Sequence, residues 1–184
     1  VRIPKSLRKS VKIEMFQDIR NESAWGKASG IIDTSAENGL SWAYHWCSND
    51  RLHTHVEKNG LVLRSFNQVP NSRSATVEFL MKFPKGLSHR VFHGWFVWDK
   101  IIYNGRETFV LAFDDSRNYE KPDNVVLPKF PNMPGDVVTG ISIGLYLFEK
   151  IAPKVSKMTF IQQADLKGSI PLFVMKKLVK TTLS

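Results

Sequence analysis

Six consecutive segments between Leu61 and Asp165 are rich in β-branched and aromatic residues, bounded by turn residues, with no helical stretch between them. They run from about Leu61 to Gln68, Ser74 to Lys82, His89 to Ile102, Thr108 to Asp114, Val137 to Lys150 and Lys154 to Asp165. Strands that follow one another without crossover helices pair antiparallel, so the expectation is a meander rather than a parallel α/β sheet. From Asp114 to Asp136 the chain is dense in Pro, Asn and Asp and too long for a hairpin turn, which reads as a surface loop.

The flanks supply the helices. Val11, Ile13 and Met15 alternate with Lys12, Glu14 and Phe16, and a second strand from about Ala24 to Ile32 completes an opening hairpin. Asp33, Thr34 and Ser35 offer N-caps to a helix from Ser35 to Cys47, in which Leu40, Ala43, Tyr44 and Cys47 recur at helical spacing and Gly39 is a weak point. A second short helix is expected over Asp50 to Lys58, ending at Asn59-Gly60. Ser169 as N-cap, Pro171 in the first turn, and Leu172, Met175, Leu178, Val179 and Leu183 on one face predict a long amphipathic C-terminal helix. The fold class is therefore α+β, of helix-grip type: a curved antiparallel sheet around a long C-terminal helix, with two short helices after the first hairpin. Residues 11–184 read as one domain and residues 1–10 as a basic leader.

A chain of 184 residues suits one domain and buries roughly 70% of the surface that its unfolded form exposes. With 42% hydrophobic and 23% charged residues and no low-complexity tract, it is globular in composition. The net charge of +9 implies attraction to something anionic, nucleic acid or the cytoplasmic face of a membrane. Its basic residues are spread out, with modest clusters at Lys5-Arg8-Lys9 and Lys176-Lys177-Lys180. Apolar runs such as Ile141 to Phe148 fall short of the ~20 residues of a spanning helix. Cys47, the sole cysteine, lies among Trp42, Tyr44 and Trp46 and favours a reducing, cytoplasmic setting over secretion, despite the acceptor pattern Asn21-Glu22-Ser23. The chain opens at Val1 without an initiator Met, which leaves room for a larger multidomain parent.

Short motifs point in several directions. Gly140-Ile141-Ser142-Ile143-Gly144 matches the G-x-S-x-G nucleophile elbow, but it falls inside a β-branched run, and every histidine precedes Ser142 where that fold supplies its base downstream. An enzyme of this architecture finds only His93 and Ser142 as nominees, and no catalytic residue is assigned. His45, His53 and His55 could share a metal on a strand; on a helix, residues two apart diverge, so neither metal nor cofactor is expected. Phe92, Trp95, Phe96 and Trp98 beside Arg90 and Lys100 could stack bases, yet no RNP-like string accompanies them and aromatics on a long strand are more often wall or core.

The C-terminal third resembles a known family. Pro128-Lys129-Phe130-Pro131, Gly135-Asp136-Val137-Val138, Gly144-Leu145-Tyr146-Leu147-Phe148 and above all Asp165-Leu166-Lys167-Gly168-Ser169-Ile170-Pro171 before a helix are similar to the corresponding stretches of START domains. Leu87-Ser88-His89-Arg90 and the IIDTS hairpin end leading to SNDR extend the likeness to roughly Val11 to Ser184. The resemblance implies a carrier or sensor enclosing one sterol, phospholipid or similar molecule in a tunnel, with the C-terminal helix and nearby loops as lid. It also makes residues 1–10 a remnant of the family's N-terminal helix. The chain departs from the family pattern at Phe96 and Thr139, where arginines are found in members, and in lacking the Trp-Asp pair within DRLHTHVEKNG.

Strand parity puts Phe92, Gly94, Phe96 and Trp98 on one face and Val91, His93, Trp95, Val97 and Asp99 on the other. The expected lipid-binding residues are Phe92, Phe96, Trp98, Val110, Ser142, Leu172, Met175 and Val179. The expected partners are a lipid ligand and, transiently, an anionic membrane surface; the protein is expected to act as a monomer, with nucleic acid disfavoured.

Overall fold

The computed structural model describes residues 11–18, 23–49, 51–53, 61–68, 73–83, 86–115, 137–168 and 170. Strands β1 (Lys12–Asp18) and β2 (Ser23–Ile32) form the opening hairpin, and helix α1 (Ala36–Tyr44) follows. Then come β3 (Leu61–Gln68), β4 (Ser74–Met81), β5 (His89–Tyr103), β6 (Arg106–Asp115), β7 (Val137–Thr139), β8 (Ile141–Ala152) and β9 (Val155–Asp165). They make one sheet in the order β1-β2-β9-β8-β6-β5-β4-β3. The last strand thus pairs with the first hairpin: β2 lies antiparallel to β9 from Ala24↔Ala164 to Ile32↔Ser156.

Helix α1 starts where the sequence places its caps. Ser35 accepts a hydrogen bond from Asn38 N at 3.2 Å, which satisfies one of the first-turn donors. The helix ends at Tyr44, short of Cys47, and a further helical turn begins with Leu52 N donating to Ser48 O at 2.9 Å. Gly39 has a packing reason: a Cβ there would meet the Phe148 ring at 2.6 Å, so the missing side chain is what lets α1 lie close against β8. The rest of the expected second helix and the C-terminal helix fall outside the described residues.

Two expectations are corrected. The segment from Val137 to Lys150 is not one strand: it breaks at Gly140, and β7 pairs parallel with β5, from His89↔Val137 to Val91↔Thr139, so the sheet is not wholly antiparallel. A Cβ on Gly140 would lie 2.5 Å from the Phe92 ring, and Gly140 N donates to Val91 O at 2.9 Å. The aromatic ring occupies the side-chain space, and the chain crosses over it from one partner strand to another.

The core lies on the face that carries α1, here called the inner face. Ala36, Leu40, Ala43 and Tyr44 of the helix pack on Ala28, Val77, Phe96, Leu111, Phe113, Tyr146, Phe148 and Phe160. A second cluster of Phe83, Phe92 and Leu166 sits beyond it, joined by Phe79, Met81 and Leu87.

Candidate functional site

Register fixes which side chains share the inner face. Phe92 stands opposite Phe79, Phe96 opposite Ala75 and Phe113, and Trp98 opposite Leu111. Leu111 in turn faces Tyr146, and Tyr146 faces Phe160. Side chains directly opposite in a pair lie on one side of the sheet, so this row crosses five strands without changing face. The aromatic rings touch along it: Phe79 stacks on Phe92 with centroids 4.7 Å apart, Phe96 meets Phe113 at 5.6 Å, and Tyr146 stacks on Phe160 at 4.3 Å.

Phe92, Phe96 and Trp98 therefore lie where parity assigned them, Phe92 and Phe96 buried and Trp98 half-buried. Val110 does not join them. It pairs with Asp99 and Leu147, which places it on the opposite face, and Phe109, Leu111 and Phe113 of the same strand take the inner positions. Ser142 is on the inner face, half-buried, its Oγ accepting from Gln162 Nε2 at 2.7 Å. It lies on a strand rather than on an elbow. Gly144 is explained by packing, since a Cβ there would collide with the Ile161 carbonyl and the Phe113 ring. Leu172, Met175 and Val179 lie outside the described residues.

His93 is on the other face, its Nδ1 2.7 Å from Glu78 Oε1, and the sheet separates it from Ser142. His45 is the exposed C-cap of α1, His53 is exposed, and His55 is outside the described residues. Among the described residues no group of three His, Cys, Asp or Glu is placed to hold a metal ion.

Composition and motifs gave no sign of the feature at the β3 end of the inner face. Trp46, just past α1, lies against Phe79 at 5.8 Å and Phe96 at 5.6 Å. Two guanidinium groups sit over its ring, Arg51 and Arg64, each 4.2 Å from the centroid. Arg51 is 1% exposed and donates through one terminal nitrogen to Ala43 O at 2.7 Å and Trp42 O at 3.1 Å. Arg64 donates to Trp46 O at 2.6 Å. Burial holds the Arg64 guanidinium far below its ordinary range, at about 10, and the neighbouring Arg51 charge adds to the effect. Burial lowers Arg51 as well, against the opposing pull of Tyr146, to which it is hydrogen-bonded. The Tyr146 phenol and the Cys47 thiol are pushed up, in both cases by burial first. The sequence signal for Tyr146 was its parity with Ser142; for Arg64, its parity with Phe66.

Among the described residues no helix is long and apolar enough to cross a membrane. No family model matches the sequence, and no curated protein matches it either. Solved structures do match in shape. A StAR-related lipid transfer protein fragment from Xanthomonas axonopodis superposes with a TM-score of 0.66 at 12% identity, covering 94% of this chain and 87% of that one. Human StAR-related lipid transfer protein 5 gives 0.62 at 16% identity, over 95% and 76%. The lipid transfer and protein localization domain of human StarD13 gives 0.60 at 14% identity, over 94% and 82%. One mixed sheet whose last strand returns to the first hairpin, with α1 against its inner face, is thus the START-like helix-grip architecture, and this chain has the fold of the StAR-related lipid transfer domains.

Proposed function

We propose that this chain is a lipid carrier or sensor that takes one hydrophobic ligand, a sterol, a phospholipid or a similar molecule, into a tunnel against its inner face. The observation that carries the reading is the unbroken aromatic and aliphatic row from Phe79 to Phe160, in a fold whose solved neighbours are named for lipid transfer. Covering a few hundred Å² of ligand there is worth several kcal/mol, at roughly 25 cal/mol per Å².

The net charge of +9 suits transient docking of a monomer on an anionic, cytoplasmic membrane surface, at about 1 kcal/mol per basic residue near the leaflet. Binding without chemistry is the simpler assignment, because the nominated serine and histidine lie on opposite faces of the sheet.

Native mass spectrometry of the purified protein, followed by lipid extraction, tests the proposal. One lipid per chain is the expected result, retained at high salt, whereas nucleic acid bound through phosphate contacts would be lost steeply as salt rises. A protein that carries no lipid and takes none up from vesicles ends the carrier reading.

A further inference from the structure

The corner around Trp46 holds two positive charges that no carboxylate among the described residues compensates. Among the described residues, the charged or titratable groups acting on Arg64 are Arg51, Cys47 and Tyr146, and none is a carboxylate. Among the described residues, the Nε of Arg51 and both Nε and one terminal nitrogen of Arg64 are buried and find no hydrogen-bond partner. The Tyr44 hydroxyl, whose ring packs edge-on against Phe66 at 5.4 Å, is likewise buried without one. Stacking on Trp46 satisfies the faces of the guanidinium planes but not the N–H groups along their edges. A buried cation that lacks its partner costs several kcal/mol, and here two sit over one ring, so the site is suited to an anion. The planar N–H fork of a guanidinium matches a carboxylate or phosphate in shape as well as in charge.

We propose that Arg51 and Arg64 bind the acidic headgroup of the ligand, a carboxylate or a phosphate, while its apolar part runs from Trp46 along Phe79 and Phe96. The inference rests on the carrier reading and narrows it: the cargo is an acidic lipid rather than a neutral one. The arginine positions by which the family resemblance frames a charged contact are Phe96 and Thr139 here, so the charge comes from a different place, the turn after α1 and strand β3.

The test uses delipidated protein titrated with oleate, dioleoyl phosphatidate and dioleoylglycerol, with inorganic phosphate as the acid group lacking a tail. At least one acidic lipid is expected to bind about tenfold or more tighter than dioleoylglycerol, as one or two charge-assisted hydrogen bonds imply. Which of the two it is separates carboxylate from phosphate. Arg64→Gln is expected to abolish that preference while circular dichroism remains that of the native protein; if the variant does not fold, the wild-type comparison alone decides. Dioleoylglycerol binding as tightly as both acids overturns the inference and leaves the carrier reading standing. Failure of all three lipids to bind overturns the inference, and the carrier reading falls with it only if the protein also carries no other lipid by native mass spectrometry and takes none up from vesicles. Tight binding of inorganic phosphate that neither acidic lipid displaces assigns the pair to a free anion and overturns the headgroup.

Discussion

Two parts of this molecule bury arginine, and they do so in opposite ways. Arg90, at the start of β5, is 3% exposed and spends its nitrogens on backbone carbonyls: Nε donates to Leu166 O at 2.6 Å, one terminal nitrogen to Lys167 O at 3.0 Å and the other to Ser88 O. Two of its three acceptors belong to the turn after β9, where Lys167 and Gly168 both take left-handed backbone angles, φ 51° and 73°. Arg90 thus ties β5 to the root of the C-terminal segment. Arg51 and Arg64 are placed over an aromatic ring with donor groups to spare. Depth of burial does not separate a structural arginine from a binding one; the number of acceptors it has found does.

The sharpest way to break this contrast is to remove the satisfied arginine. Arg90→Gln strands the carbonyls of Ser88, Leu166 and Lys167 and is expected to cost about 3 kcal/mol of stability, the scale of several lost charge-assisted hydrogen bonds. Urea unfolding followed by tryptophan fluorescence measures it. The unsatisfied arginine should behave in the reverse sense. Arg64→Gln keeps a donor for Trp46 O and removes a half-buried charge, so stability should fall between unchanged and about 1 kcal/mol higher. If Arg64→Gln proves the more damaging of the two, the assignment of roles is wrong.

Much of the fold was legible because strand alternation and turn residues are local signals. The face of β5 that carries Phe92, Phe96 and Trp98 follows from parity, and Ser35 from capping chemistry. Val110 was misplaced because parity within a strand says nothing about register across a hairpin. The signal for register was present in Asn104-Gly105, whose φ values of 50° and 72° are those of a two-residue hairpin turn that sets Tyr103 opposite Arg106 and hence Val110 opposite Asp99. The break at Gly140 was hidden because β-branched residues flank it on both sides, and its cause is a ring distant in sequence. Arg51 and Arg64 escaped for a different reason: a charged residue is read as solvated by default, even where parity, as for Arg64 with Phe66, puts it on the inner face.

The same contrast is accessible through pH. Arg64 is held at about 10 in the folded protein, so below that pH both folded and unfolded states carry its proton and the folded state bears the full cost of burying the charge. As pH rises through about 10 the folded state gives up the proton before the unfolded one does, and this group's contribution to stability increases. Relative to Arg64→Gln, which lacks the proton altogether, wild type should gain about 1 kcal/mol between about pH 9 and about pH 11, after discounting for the solvent that reaches a half-buried group. Paired urea titrations at those two values check the sign. A difference that stays constant or moves the other way would mean that Arg64 already has an anionic partner.

The smallest effect belongs to Ser142, a polar group on the same inner face that, like Arg90, has found its partner. Its Oγ accepts from Gln162 Nε2 at 2.7 Å across the β8-β9 pair. Ser142→Ala leaves a half-buried amide that water reaches in part, so the expected loss is about 0.5–1 kcal/mol, near the net worth of one neutral hydrogen bond. Among the described residues no histidine lies beside this serine, His93 being across the sheet, so fluorophosphonate probes are expected to leave it unlabelled. Labelling at Ser142, lost in the alanine variant, would turn the inner face from a binding wall into a reactive one and reopen the catalytic reading of its G-x-S-x-G pattern.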